Sequence, residues 1–470
     1  MGQYLSGISY VLRRRFRRRG TDNFLQMRKI SEENFRNDAL GDVLLLSYIE
    51  LTLFKLTLMK DSPTKNTVQQ LLSIPVMVAA LGYLVDMYDL FLFSIVRVPS
   101  LKSLGLTDEQ VLSDGILLLN LQMVGMLIGG LFWGVLGDKK GRLSVLFGSI
   151  LIYSIANIGN GLVTTIEQYA VLRFIAGFGL AGELGVGITL VVEILPKNIR
   201  GYGTTLVATM GVFGALLAFL IVQFFEWRAS YFIGGGLGLL LMVLRLKVFE
   251  SGIFLQLKQQ NIRRGDVRML FNNKTRFLKY MTSIVVGMPI WFVVGILITF
   301  SPEIGRAMHL DQPVDAGRAV LFAFAAQVAG NLASGFLSQY LQNRRQVIFS
   351  FMMGSFFLTV ILLLAPFSST TLFYLLCGCL GFFSGYWTLF ITVAAELFGS
   401  NLRATVATTA PNFVRGTIIP LTSIFLVMKG YIGTINSALV TGILTYLAGM
   451  IALYYLEETF KKDMSFIEEA

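Results

Sequence analysis

The sequence predicts an all-α integral membrane protein, with twelve transmembrane helices in two pseudo-symmetric six-helix bundles. Three observations predict it. Apolar residues come in blocks long enough to cross a bilayer, basic residues gather in alternate loops, and a short motif recurs at the same place in each half.

The blocks come first. Hydrophobic residues make up 54% of the 470-residue chain and charged residues only 14%, where a soluble chain carries about a quarter. Mean hydropathy is +0.68. A hydrocarbon core of about 30 Å needs roughly 20 apolar residues per helix. Blocks of that length read 71–96, 113–136, 143–163, 168–192, 204–225 and 229–247, then 279–300, 316–341, 346–366, 371–395, 405–428 and 433–456. The first six form a bundle over 71–247, and the second six form one over 279–458. A basic cytoplasmic linker, 248–278, joins them, and 459–470 is a cytoplasmic tail.

Residues 1–70 are different in kind. Arg13-Arg14-Arg15-Phe16-Arg17-Arg18-Arg19 is a dense basic run, suited to a cytoplasmic, lipid-facing or disordered leader; alternatively, the leader reflects a start site placed too far upstream. The stretch Val43–Leu58 is short and carries Glu50 and Lys55. Charges at mid-membrane are costly, so it reads as an amphipathic surface helix and not a span.

Charge then sets the orientation. The net charge is +11, but its distribution argues against nucleic acid as a partner and for the lipid bilayer. With the amino terminus inside, the cytoplasmic loops hold Lys139, Lys140, Arg142, Lys197, Arg200, Arg245, Lys247, Lys258, Arg263, Arg264, Arg268, Lys274, Arg276, Arg344, Arg345, Arg403, Lys461 and Lys462. The opposite side holds only Arg97, Lys102, Arg228, Arg306, Arg318 and Lys429. That asymmetry puts both termini in the cytoplasm. Cys377 and Cys379 share one apolar block and cannot frame disulfides. A single His309 argues against an imidazole metal site or catalytic triad. No metal and no cofactor are expected. No HExxH or GxSxG motif suggests an enzyme.

The repeat links the halves. Glu193-Ile-Leu-Pro-Lys-Asn198-Ile-Arg200 follows the fourth block, and Glu396-Leu-Phe-Gly-Ser-Asn401-Leu-Arg403 follows the tenth, with Glu, Asn and Arg in register. A weaker pair follows blocks two and eight: Gly134-Val-Leu-Gly137-Asp138-Lys-Lys-Gly141-Arg142, and Gly335-Phe-Leu-Ser338-Gln339 ending in Arg344-Arg345. Two parallel halves suit a transporter that rocks around a site near the midplane.

These residues resemble a known family. Gly134-x-x-x-Asp138-x-x-Gly141-Arg142 resembles the loop signature of the major facilitator superfamily, and Arg173-Phe-Ile-Ala-Gly177-Phe-Gly179 its fourth-helix motif. Gly82-Tyr-Leu-Val-Asp86-Met-Tyr88-Asp89-Leu-Phe is similar to the first-helix motif of metabolite:proton and phosphate:proton symporters. Ala181-Gly182-Glu183-Leu-Gly185 is similar to the metabolite-symporter version of helix four. Asp86 stands where many metabolite symporters have Glu, and Leu184 where an aromatic residue often follows the Glu. The resemblance implies secondary transport by alternating access, as a proton-coupled symporter of a small polar metabolite, an organic acid or zwitterion, acting as a monomer in a bacterial inner membrane. Inorganic phosphate, amino acids and sugars are alternative cargoes. A transporter-like receptor or scaffold is the alternative of another class.

The candidate site follows from buried charge. Asp86 and Asp89 lie three apart on one helix face. Mutual repulsion and desolvation disfavour their charged forms, which suits proton coupling. Glu183 lies mid-helix beyond Arg173, and intramembrane ionisable residues are functional candidates by default. The bland alternative is an internal ion pair, such as Asp89 with Arg173, that only fixes packing. Arg415 is the one basic residue well inside a second-half helix. It reads either as an anion-binding fork or as the partner of an acid on a neighbouring helix. Tyr88, Gln122, Asn331, Tyr386 and Trp387, and more weakly Asn120 and Gln327, are candidates for lining a cavity, or for ordinary interhelical hydrogen bonds. The resemblance implies that Gly134, Asp138, Gly141 and Arg142 latch the cytoplasmic side against helix eleven. Glu193 with Arg200 and Glu396 with Arg403 would form matching pairs between bundles, or else simply anchor loops.

Overall fold

The computed structural model describes residues 65–195, 199–246, 268–398 and 400–460. Contacts divide the chain into Met1–Val68 and Gln69–Ala470, and the membrane helices found among the described residues belong to the second unit. The arginine run, the Val43–Leu58 stretch, most of the linker and the end of the tail lie outside the described residues.

Eleven helical stretches among the described residues are long and apolar enough to cross a bilayer. Ten are single crossings: α1 Ile74–Ser103, α2 Asp108–Gly137, α3 Arg142–Asn160, α4 Ile166–Val191, α5 Leu206–Phe224, α6 Trp227–Arg245, α7 Lys274–Ile298, α8 Ala316–Leu341, α9 Arg344–Leu364 and α10 Thr370–Ala394. The last stretch, Thr405–Tyr455, is 51 residues long, about twice what one crossing takes. It breaks at Gly433, where φ is 77°, a value that glycine adopts without a Cβ penalty. It is therefore two helices, α11 (405–432) and α12 (434–455), and the count among the described residues is twelve. Large apolar side chains such as Leu162, Phe224 and Val427 face outward, as they do where the solvent is lipid.

Short polar caps end the crossings. Thr107, Thr165, Asn273, Asp315, Asn343 and Ser369 each accept a backbone N–H from the first turn of the helix they precede. Each such cap contributes about 1 kcal/mol. Gly141, with φ 102°, makes the tight corner from α2 to α3.

The two halves are built alike. A Cβ on Gly177 would strike the Gln122 carbonyl, so α4 and α2 touch backbone to backbone. Gly381 meets the Ala323 carbonyl in the same way, so α10 and α8 do too. α4 is interrupted after Leu180 and resumes at Glu183, and α10 is interrupted by the turn Ser384–Tyr386. Discontinuous helices near the midplane are where transporters build sites. The halves meet through α2 and α4 against α11, and through α1 and α5 against α8.

Two residues assigned to loops are fully buried, and Arg142 at the start of α3 is nearly so. Arg97 lies within α1, which runs past 96 to Ser103, and is fully buried. Arg245 ends α6 and is also fully buried. Arg97 and Arg245 each have a carboxylate partner that offsets part of the cost of burial, so neither counts toward the loop charge.

Candidate functional site

Arg415 of α11 and Asp86 of α1 meet between the halves. Their closest atoms, Nη2 and Oδ2, are 3.4 Å apart, and both side chains are buried. Arg415 also touches the Met87 sulfur at 3.8 Å. Its Nε and Nη1, and Asp86 Oδ1, have no hydrogen-bond partner. The pair is thus monodentate, and the guanidinium keeps unused donors in a dry setting, where an unmet donor is costly. Such a fork can take a second, planar acceptor. Tyr83, one turn earlier on α1, has Asp86, Arg415 and Trp387 as polar neighbours.

Asp89 lies one turn further along α1. Neither carboxylate oxygen accepts a hydrogen bond. It packs against α6, where a Cβ on Gly234 would lie 2.8 Å from Oδ1. Its neighbours are the Asn157 amide, Arg173 and Asp86. The alternative reading, an Asp89–Arg173 ion pair, is not what forms here. Arg173 instead donates to the Gln122 side chain and lies 4.5 Å over the Phe93 ring. Gln122 therefore engages an arginine of its own bundle.

Glu183 belongs to a separate node inside the first half. Arg245 of α6 grips it with both arms, at 2.5 and 3.0 Å, and Ser149 of α3 donates to it at 2.7 Å. Arg245 also donates to the Leu146 carbonyl at 2.5 Å. Gly82 of α1 makes room, since a Cβ there would lie 2.9 Å from Glu183 Oε2 and strike Arg245. Spacing did not single out Arg245, Ser149 or Gly82 as this node. The one available signal was a basic residue inside an apolar block.

The remaining lining candidates divide. Trp387, which like Arg415 neighbours Tyr83, belongs to an aromatic cluster: it stacks on Phe390 (centroids 5.5 Å apart) and meets Trp291 edge-on at 6.4 Å. Trp291 in turn stacks on Phe91 of α1, whose ring lies 4.2 Å from that of Phe324. Phe91, Trp291 and Phe324 were missed because aromatic residues in apolar blocks carry no signal of their own. Tyr88 is buried and donates to the Ser230 carbonyl on α6 at 2.8 Å. Tyr386 donates to Val286 of α7 at 3.2 Å. Asn331 is half-buried beside the α10 turn, and its carbonyl oxygen has no partner. Asn120 accepts from Thr422 across the halves at 2.8 Å.

At the other end of α2, Gly134 lies against Thr408 and Thr409 of α11, with 3.8 Å to each for a Cβ. Asn412 of α11 donates to the Ala181 carbonyl at the break in α4, at 3.0 Å. Arg142 donates to the Gly137 carbonyl at 2.6 Å. Glu396 pairs with Arg344 of α9 at 2.8 Å, within its own half. The side chains of Asp138, Glu193, Arg200 and Arg403 lie outside the described residues.

The sequence profile of the Major Facilitator Superfamily matches residues 79–416. The sialic acid transporter NanX of Escherichia coli (strain K12) is 35% identical over 178 residues, 37% of this chain and 43% of that protein. The niacin transporter NiaP of Acinetobacter baylyi (strain ATCC 33305 / BD413 / ADP1) is 30% identical over 178 residues, 37% of this chain and 40% of that one. The chain thus matches less than half the length of either relative. The crystal structure of a D-xylose-proton symporter superposes with a TM-score of 0.65 at 18% identity, over 83% of this chain and 99% of that one.

Proposed function

Since this chain belongs to the Major Facilitator Superfamily, we propose that it is a secondary transporter that carries a small organic acid together with protons by alternating access. The observation that carries this reading is the buried Asp86–Arg415 pair between the halves. A carboxylate substrate is a chemical copy of the Asp86 side chain. When it takes Arg415, Asp86 is left in a dry site without its counter-ion. A lone buried carboxylate neutralises itself by taking a proton. Substrate and proton then load together, and the charge of the site is unchanged. Asp89, with two unmet oxygens, is the second proton acceptor of the set, and Arg173 sets its field.

Glu183 already has Arg245 as counter-ion, so a role for it in coupling requires that pair to open. Trp387 and its aromatic neighbours form the apolar wall that a planar acid would face; Asn331 and Tyr386 belong to the same half, while Tyr88 and Gln122 are engaged within the first. Relatives named for sialic acid and niacin, both carboxylates, support an acid as cargo. Gly134, Asp138, Gly141 and Arg142, with Glu193, Arg200, Glu396 and Arg403, form the cytoplasmic gate. Basic-loop asymmetry and the bacterial sources of the relatives support placement in a bacterial inner membrane with both termini cytoplasmic; a monomer is part of the proposal. Uptake of labelled carboxylates into proteoliposomes under an imposed inward pH gradient tests the proposal. Uptake indifferent to the gradient overturns it.

A further inference from the structure

The interior of the first half holds a column of hydroxyls that the Asp86–Arg415 pair does not use. Ser100 of α1, Tyr169 of α4 and Tyr231 of α6 are all fully buried. The Tyr169 and Tyr231 hydroxyls meet at 2.7 Å, and Ser100 Oγ lies 3.5 Å from the Tyr169 hydroxyl. In both contacts either oxygen can be the donor. One turn beyond Ser100, the exposed Ser103 donates to the Ser100 carbonyl at 2.7 Å. The column therefore starts at the end of the bundle opposite the α2–α3 corner.

It leads toward Asp89. Tyr231 and Gly234 are three apart on one face of α6, and Gly234 lies against Asp89. Arg173 and Asp89 are charged neighbours of Tyr231. On α3, Asn157 neighbours Asp89, and Asn160 lies one turn further out. Both asparagines are fully buried. Neither the amide atoms of these two residues nor the Asp89 oxygens meet a hydrogen-bond partner among the described residues. Buried polar groups left in this state are where proteins hold water. Aromatic rings wall the column: Phe93 meets Tyr169 edge-on at 5.8 Å, and Trp227 meets Tyr231 edge-on at 6.3 Å. Tyr88 is no member, since its hydroxyl donates to the Ser230 carbonyl, which has no proton to pass on.

We propose that Ser100, Tyr169 and Tyr231, with water held by the Asn157 and Asn160 amides, form a proton relay that loads Asp89 through the interior of the first half. The proposal rests on the proton-coupled reading and gives the proton a route of its own, apart from the junction of the halves where the carboxylate takes Arg415. Each oxygen takes a proton on a lone pair while its own O–H bond breaks toward the next oxygen. One proton leaves bulk water, one arrives on an Asp89 oxygen, and no relay residue changes charge. The Arg173 charge disfavours a proton that stops on the relay, so the carboxylate is its resting place.

The test needs neither substrate nor a membrane gradient, so its failure is separable from failure of the transport reading. Purified protein in detergent is given a rapid pH drop, and time-resolved infrared absorption follows the C=O stretch of the protonated carboxyl that Asp89→Asn removes. Tyr231→Phe deletes one relay oxygen and keeps the ring. It is expected to slow the growth of that band about tenfold or more and to leave its final extent at each pH unchanged. Tyr446→Phe, which deletes a buried hydroxyl paired with Ser355 at 2.7 Å in the second half, is expected to keep the parent rate. Parent-rate growth in Tyr231→Phe overturns the relay, as does equal slowing in Tyr446→Phe. A changed extent at the parent rate also overturns it, because Tyr231 would then only tune Asp89. So does a parent protein with no Asp89-dependent band at any pH. If Tyr231→Phe does not fold, Tyr169→Phe is read in the same way.

Discussion

Asp86 and Arg415 lie 329 positions apart in sequence and 3.4 Å apart in space, buried on opposite halves of the molecule. Neither half alone satisfies its own charge at this point. Removing one partner strands the other in a dry interior.

Arg415→Gln is therefore expected to lower stability by about 3–5 kcal/mol, the usual cost of stranding one member of a buried pair. The double variant Asp86→Asn/Arg415→Gln should regain most of it. Thermal unfolding in detergent at one pH measures both. A double variant no more stable than Arg415→Gln would show that the two charges do not compensate each other.

Asp86→Asn cannot take up a proton. Uptake driven by a pH gradient should fall about tenfold or more, equivalent to 1.4 kcal/mol or more. Exchange of substrate across the membrane without a gradient should persist. Equal loss of both activities would assign Asp86 to binding alone.

Gly82→Ala places a methyl group against the Glu183–Arg245 pair, 2.9 Å from Glu183 Oε2. The expected cost is about 1–3 kcal/mol, the usual range for overpacking. Glu183→Gln should cost more, because it strands Arg245. Melting temperatures order the two variants, and the reverse order would contradict the node.

Glu458, beyond the end of α12, gives a pH signature. Burial pushes its carboxyl up, but N–H bonds from Arg345, Phe460, Arg344 and Thr459 outweigh that and hold it below the ordinary value of 4.5. A depressed carboxyl stabilises the fold above its unfolded value and loses that contribution as pH falls through the folded one. The stability gap between wild type and Glu458→Gln should be full at neutral pH and should shrink below about pH 4.5. A gap constant with pH would exclude the charged form as the source.

Much of the fold was legible because bilayer length constrains a helix harder than any soluble core does. Apolar blocks marked the twelve crossings, and the recurring Glu, Asn and Arg spacing marked the halves. The acids on α1 were also legible, since a carboxylate in an apolar block is rare. Pairing was not. Spacing places Asp86 and Asp89 on one face of α1, but which arginine meets them depends on how two bundles dock. Arg415 faces Asp86, while Arg173 turns to Gln122. Arg97 and Arg245 sit near helix ends, where a solvated loop charge and a buried one look identical in sequence. Glu303 and Glu183, their partners, are distant in the chain.

The most direct measurement of the exchange at Arg415 is proton uptake on substrate binding. Purified protein in weakly buffered detergent, with a pH-sensitive dye, is titrated with whichever small carboxylate stabilises it in a thermal-shift screen. The expected result is about one proton taken up per carboxylate bound, lost in Asp86→Asn with binding retained. Saturable binding with no proton uptake by the wild-type protein would contradict it.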